Sequence, residues 1–285
     1  MLDNRPPAES VRFKFGKNWL KFLRLVNEER IRLAEDSLKQ DLVARDLKGK
    51  RFLDVGCGSG LFSLAASRLG ADVHSFDYDP DAVACTLEMK RRFGPDQATW
   101  LIERGSALDR DYLRSLGMYD FVYSWGVLHH TGQLWQALDN VCSLVAPGGY
   151  LCLAIYNDQG KASIHWTKIK KFYNRSFGFM KPVVVLGTGA YFIIRTSVAR
   201  IIKFRVPLGF KTQTKNPRAR GMSAWHDLVD WVGGYPFEVA KPEAVIDFFV
   251  QRGLPLVRLN SCGGGLGCNE FLFHSSDRTA ASPSQ

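Results

Sequence analysis

The chain runs to 285 residues with 46% apolar and 23% charged side chains, the balance of a soluble globular protein, which excludes a disordered, collagen-like or polytopic membrane chain. The formal charge is +10, but residues 161–226 alone carry eight Lys and six Arg with no acid, so the remainder sums to −4. A cationic block of that kind implies an anionic counterpart: phosphate, nucleic acid or an acidic membrane face.

In chain order, residues 1–12 read as a loose tail, and Phe13 to Trp19 leads into one helical stretch reaching about residue 45, a capping helix. From Lys50 short apolar runs at 51–55, 71–76, 98–103, 120–125 and 149–156 alternate with helical patterns. Strands separated by crossover helices predict a parallel α/β sheet. The alternation breaks for about 80 residues and resumes with a helix at 242–251, a strand at 254–261, a glycine turn from Gly263 to Gly267 and a strand at 269–274. That last pair reads as a hairpin adding one antiparallel strand. The chain divides into a tail and capping helix (1–49), an α/β core (50–157), a basic, apolar-rich insertion (158–240), a return to the sheet (241–274) and a polar tail (275–285). The longest apolar run, Val183 to Ile194, holds 12 residues before Arg195, short of the ~18 to 20 that a spanning helix needs. The first ten residues carry two acids and two prolines where a secretion signal is apolar, so a cytoplasmic location is the expectation. The six cysteines form no CxxC pair and read as reduced, packed thiols.

The sharpest motif is Asp54-Val55-Gly56-Cys57-Gly58-Ser59-Gly60, where the first strand turns into a helix. Glycines there let the backbone approach a ligand and expose helix N-terminal amides. The second strand ends in Phe76-Asp77-Tyr78-Asp79, which puts an acid where a ribose hydroxyl pair lies in nucleotide-binding folds. A nicotinamide dinucleotide turn wants glycine at position 61, and Leu61 stands there.

These residues resemble a class I S-adenosylmethionine-dependent methyltransferase. The resemblance spans four segments over residues 50–156 and extends through the terminal hairpin. It implies a Rossmann-like, doubly wound, mostly parallel seven-stranded sheet with an α-helical insertion after the fifth strand, and S-adenosylmethionine as cofactor. Asp54, Gly56, Gly58 and Gly60 then hold the methionine end, Asp77 the ribose and Tyr78 the adenine. Ser106 and Ala107 stand at the adenine edge, where the family more often has Asp, and Ser124 and Trp125 at the exit of the fourth strand. No Asn/Asp-Pro-Pro-Tyr follows that strand and no cysteine follows a proline, which disfavours base N-methylation and cytosine C5 methylation. The Val127-Leu128-His129-His130 exit is similar to that of ubiquinone-pathway O-methyltransferases.

A hydroxyl acceptor must lose a proton, and the candidate groups are His130, His129, His226 and Asp227, with Asp230 and Trp231 one turn on. No metal-ligand spacing is present, and none is expected. Phe15 and Trp19 are candidates for a lid, Asn269 and Glu270 for the substrate mouth or for pinning the hairpin. In the insertion, aromatic and aliphatic residues interleave with Lys and Arg up to Phe210, the texture of an interfacial helix or of a cap packed on the core. A small or lipid-linked acceptor is the expected partner, with an anionic membrane surface beside it and nucleic acid ranked lower. A cofactor-binding scaffold without turnover is the alternative class.

Overall fold

A computed structural model of the chain describes residues 12–202 and 224–276. Of the expected tails at 1–12 and 275–285, residues 1–11 and 277–285 lie outside the described residues, as does the basic stretch from Lys203 to Ser223. Arg12 and Ser275 are not loose, since Arg12 donates to Thr131 O and Ser275 N to Gly149 O at 2.8 Å.

Seven strands form one sheet: β1 (Arg51–Val55), β2 (Asp72–Asp77), β3 (Trp100–Arg104), β4 (Tyr119–Trp125), β5 (Val145–Tyr156), β6 (Leu256–Asn260) and β7 (Cys268–His274), in the order β3-β2-β1-β4-β5-β7-β6. The first five pair in parallel, and β7 runs antiparallel between β5 and β6. The antiparallel strand is therefore interior to the sheet and β6 forms the edge. The central strands are apolar on both faces because helices cover both faces, and the two-residue period sorts neighbours to opposite sides. Leu53, Val122, Leu151 and Phe271 join one core with α5 (Arg110–Leu116), α6 (Leu134–Cys142) and α10 (Pro242–Val250). Phe52, Tyr123, Cys152 and Leu272 join the other, under α2 (Glu28–Leu42), α3 (Leu61–Arg68) and α4 (Pro80–Phe93).

The N-terminal helical stretch is two helices. Val26 is extended, and the Asn27 side chain accepts from Arg30 N at 3.0 Å, so the chain stops after α1 (Phe15–Phe22) and starts afresh at α2. After β5 comes the helical insertion, α7 (Lys161–Arg175), α8 (Met180–Ile202) and α9 (Ala224–Gly233). Tyr173, Val185 and Val232 form its small core, joined by Phe13. The insertion closes on the end of β5, where Ala240 N donates to Tyr156 O at 3.0 Å and Asp158 N to Ala240 O at 3.2 Å. Among the described residues no helix is long and apolar enough to cross a membrane, and all six cysteines are free thiols.

Phe249 of α10 is fully buried against Phe273, ring centroids 4.6 Å apart. Phe249→Ala removes that packing and is expected to cost about 3–5 kcal/mol, read as a lower denaturant midpoint at unchanged slope.

Candidate active site

The strand order reverses between β1 and β4, which sends the following helices to opposite faces and opens a crevice at the carboxyl ends of the strands. A cavity of about 1410 Å³ occupies that crevice. The β1–α3 turn forms one wall. Gly56, Gly58 and Gly60 all have left-handed φ (80°, 54° and 75°), and a Cβ on Gly56 would lie 2.3 Å from Val127 Cγ1. The turn passes its backbone along the cavity because no side chain intervenes.

Two acids frame this turn. Asp54 is buried at the end of β1, and its Oδ2 accepts from Ser63 Oγ at 2.5 Å. Ser63 in turn accepts from Ser75 Oγ at 2.8 Å, and Ser75 from Trp100 Nε1 at 2.8 Å. This chain of donors fixes one carboxylate oxygen through three elements of the sheet face. Asp77 accepts from Gly58 N (3.0 Å) and Asp79 N (2.9 Å). Burial, reinforced by the Asp79 charge and opposed by those amides, raises its carboxyl to about 6. Tyr78 lies in reach of two guanidiniums, Arg12 and Arg104, each 5.5 Å from its ring centroid.

The cavity's cover comes from the N-terminus. Arg12 donates to Thr131 O at 2.8 Å, and Phe13 N to Tyr235 O at 2.9 Å. Phe15 stands 4.9 Å from the His130 ring, and Gly16 N donates to Asp79 Oδ2 at 2.9 Å. A Cβ on Gly16 would come within 2.5 Å of Ala82 N, so α1 seats directly on α4. Asn18 then donates to His226 O (3.0 Å) and Asp230 Oδ1 (2.8 Å) of α9. Phe15 and Trp19 both line the cavity, in the position of the expected lid.

Of the residues singled out from sequence, the cavity wall includes Asp54, Gly56, Gly58, Asp77, Tyr78, Ser106, Ala107, Trp125, His130 and Asp227. Gly60 sits behind the turn, where a Cβ would meet Thr86 at 2.9 Å. Ser124 also lies behind the wall: it is fully buried and donates to Val55 O at 3.0 Å, tying β4 to β1. His129 is packed under Tyr156, ring centroids 4.0 Å apart, and its Nδ1 accepts from Tyr156 N at 3.4 Å. His226 packs edge-on against Phe22. Asn269 pins the hairpin, donating to Asn157 Oδ1 at 3.0 Å, and Glu270 accepts from Trp125 Nε1 at 3.3 Å.

His130 closes a short helical turn after β4. Its Nδ1–H donates to Pro236 O at 2.6 Å, and burial, aided by the positive charges of Lys170 and Arg12, pulls the imidazole down to about 3. It is held neutral, with Nε2 beside Gly234. Glu238 secures the same turn by accepting from Gly132 N (2.9 Å) and Leu134 N (3.0 Å). Asp230 also reaches the cavity, and its Oδ2 is buried with no hydrogen-bond partner among the described residues. Burial and the Asp227 charge raise its carboxyl well above the usual range.

Sequence reasoning missed Arg12, Asn18 and Tyr156 as wall or cover residues. Tyr156 had a signal, its place at the carboxyl end of β5; Arg12 and Asn18 had none. It also counted Lys170 within the cationic block at 161–226 that implied an anionic counterpart, whereas Lys170 is fully buried. Its Nζ donates to Trp231 O and stands 4.3 Å from the Trp231 ring, 4.6 Å from Phe237 and 5.6 Å from Tyr156. Burial brings this ammonium down to about 7. Among the described residues no three His, Cys, Asp or Glu side chains gather as a metal-binding group.

A base whose folded pKa lies below its unfolded value charges the folded state at a cost, so native stability from this group rises as pH climbs from about 7 toward 10.5. Lys170→Met removes that rise. Its stabilisation relative to the natural protein is expected to be larger at pH 6.5 than at pH 9.5 by on the order of 3 kcal/mol, measured by urea unfolding.

The methyltransferase domain family matches residues 26–181, more than half of the chain. The ubiquinone biosynthesis O-methyltransferase of Xanthomonas oryzae is 32% identical over 112 residues, covering 39% of this chain and 45% of that protein. The ribosomal protein L11 methyltransferase of Methylococcus capsulatus is 33% identical over 145 residues, covering 50% and 44%. The chain spans about half the length of these curated relatives. An O-methyltransferase family protein from Burkholderia thailandensis has the same fold, with a TM-score of 0.52 at 13% identity over 97% of this chain and 66% of that one. With the glycine turn, the acid ending β2 and the 3-2-1-4-5-7-6 sheet in place, the chain belongs to the methyltransferase domain family, within the class I S-adenosylmethionine-dependent methyltransferases.

Proposed function

We propose that the protein transfers the methyl group of S-adenosylmethionine to a hydroxyl of a small or lipid-linked acceptor, such as a quinone precursor, a phenol or a sugar. The observation that carries this reading is that a single cavity is walled both by the core's glycine turn and Asp77 and by the insertion's Asp227, Asp230 and Trp231. Typical ligand pockets hold about 300–1,000 Å³, so about 1410 Å³ accommodates a cofactor with an acceptor beside it.

The residues fit the cofactor on their own chemistry. Asp77 is a half-buried carboxylate facing the cavity, suited to accept from ribose hydroxyls. Asp54, with one oxygen held by Ser63, faces the same space for an ammonium group. When bound, S-adenosylmethionine supplies a methyl on a positively charged sulfur, already activated for in-line displacement. What remains for the chain is alignment, exclusion of water and removal of one proton. Phe15, Trp19 and Trp231 exclude water. His130, held neutral and hydrogen-bonded to Pro236 O, orients the acceptor side and is a weak base. The stronger proton acceptor is the Asp227 and Asp230 pair, of which Asp230 carries a carboxylate oxygen with no hydrogen-bond partner among the described residues. Methylation of RNA or protein is the second reading; the similarity to a ribosomal protein L11 methyltransferase covers 44% of that protein.

Calorimetric titration with S-adenosylhomocysteine tests the donor half. Micromolar binding is expected, weakened at least tenfold by Asp77→Ala. The ionised Asp77 is the form that accepts from hydroxyls, so affinity is expected to fall by up to about tenfold per pH unit below about 6. Label transfer from methyl-tritiated donor into phenols and lipid extracts tests the acceptor half. No binding of either donor or product by the natural protein overturns the proposal.

A further inference from the structure

The insertion presents to solvent a surface that the active-site reading does not use. Along α7 the inward stripe, Ser163, Trp166, Lys170 and Tyr173, is buried. The outward stripe alternates cations with large apolar groups: Lys161, Ile164, Lys168, Phe172 and Arg175, all exposed. The turn into α8 carries Phe177 and Phe179, 75% and 77% exposed, with rings parallel 6.1 Å apart. On α8, Val185 and Thr188 face inward, while Val183, Leu186, Ile193 and Ile194 face solvent. This helix is apolar on both sides, yet only one side is packed. A helix apolar all round is normally buried all round, and exposed apolar surface on this scale marks an interaction site.

We infer that the outer faces of α7 and α8, with the Phe177–Phe179 turn between them, are a docking surface for an anionic lipid bilayer. Charge complementarity selects this occupant. From Lys161 to His226 there is no acid, and six further cations fall between Lys203 and Arg220 by sequence. A second copy of the chain would bring this positive block against itself. Nucleic acid would meet the cations, but it gains nothing from Val183, Leu186, Ile193 and Ile194. A bilayer uses both halves: aliphatic and aromatic side chains enter the headgroup boundary by about 5–10 Å while lysines and arginines meet lipid phosphates. No helix needs to span for this, and none among the described residues can. The surface belongs to the same insertion that supplies Asp227, Asp230 and Trp231 to the cavity wall, so docking sets the acceptor side of the site beside the membrane. The inference stands apart from the identity of the acceptor.

Sedimentation of the full chain with vesicles of equal phosphatidylglycerol and phosphatidylcholine, against pure phosphatidylcholine, is the test. Binding to the anionic vesicles alone is expected, lost at about 0.5 M salt. Phe177→Ser with Phe179→Ser, and separately Lys168→Glu with Arg175→Glu, are each expected to weaken it at least tenfold, the second pair by roughly fivefold or more per cation. All four positions are exposed, and an unchanged circular dichroism spectrum confirms that the variants fold. Binding to neither vesicle, equal binding to both, or variants that bind like the natural protein overturn the inference. So does a concentration-dependent dimer abolished by the phenylalanine pair, which assigns the face to a second copy, or salt-sensitive RNA binding that replaces vesicle binding. S-adenosylhomocysteine titration on the same samples separates the two proposals: product binding without vesicle binding leaves the methyltransferase reading intact, and the converse leaves the docking surface intact.

Discussion

The crevice between β1 and β4 is the constraint on which the rest depends. Because consecutive crossovers leave the sheet on opposite faces at this point, no helix fills the space over the carboxyl ends of the two central strands. Whatever lines that space must come from turns, and turns of ordinary residues would fill it with side chains. The β1–α3 turn solves this with glycines in left-handed conformations, while Asp54 and Asp77 bring carboxylates to the ends of adjacent parallel strands. Asp54 is buried and Asp77 half-buried, and a carboxylate withdrawn from water persists only where something compensates it. Asp54 has the Ser63 hydroxyl and Asp77 its two backbone amides. The protein thus holds two acids in a low-dielectric wall, the kind of preorganisation that gives a polar ligand orientation as well as affinity.

The insertion completes the site from the other side, and its attachment is as polar as the core's is apolar. Ala240 zips it to the end of β5, Glu238 takes the amides that open α6, and Pro236 O holds the His130 ring. Lys170 anchors the middle of α7 inside a box of Trp231, Phe237 and Tyr156. Cation–π contacts of a desolvated ammonium are each worth about 2 kcal/mol, a partial offset for burying the charge. The cost that remains appears in the lowered basicity of Lys170.

Much of this was legible in the sequence, for a physical reason. Parallel strands covered on both faces leave near-continuous apolar runs, so β1 was legible to the residue, and the others shifted by a few positions at their ends. The glycine turn and the acid at the end of β2 were legible because left-handed backbone at a strand-to-helix turn demands glycine and a lone carboxylate closing an apolar strand stands out. The break at Val26 and Asn27 was not, since an asparagine cap inside an amphipathic stretch looks like any polar surface position. Lys170 was misread because its neighbours Lys168 and Lys171 carry the same charge, and only the packing of α7 on α9 turns one of the three inward. Asn18 and Asp230 could not be paired from sequence at all. They lie 212 residues apart, and neither sits in a motif.

That pair has a consequence for how the cavity opens. Asn18 joins the N-terminal cover to α9 by two hydrogen bonds, while Gly16 joins the same cover to the start of α4. The eight residues of α1 therefore clasp the α/β core and the helical insertion to each other. Each such bond is worth about 1 kcal/mol net, small enough to release thermally and large enough to be felt. Displacing α1 to admit a molecule on one side loosens the wall on the other, and reseating it tightens both. The two halves of the cavity share one cover, so a movement of α1 is felt on both sides.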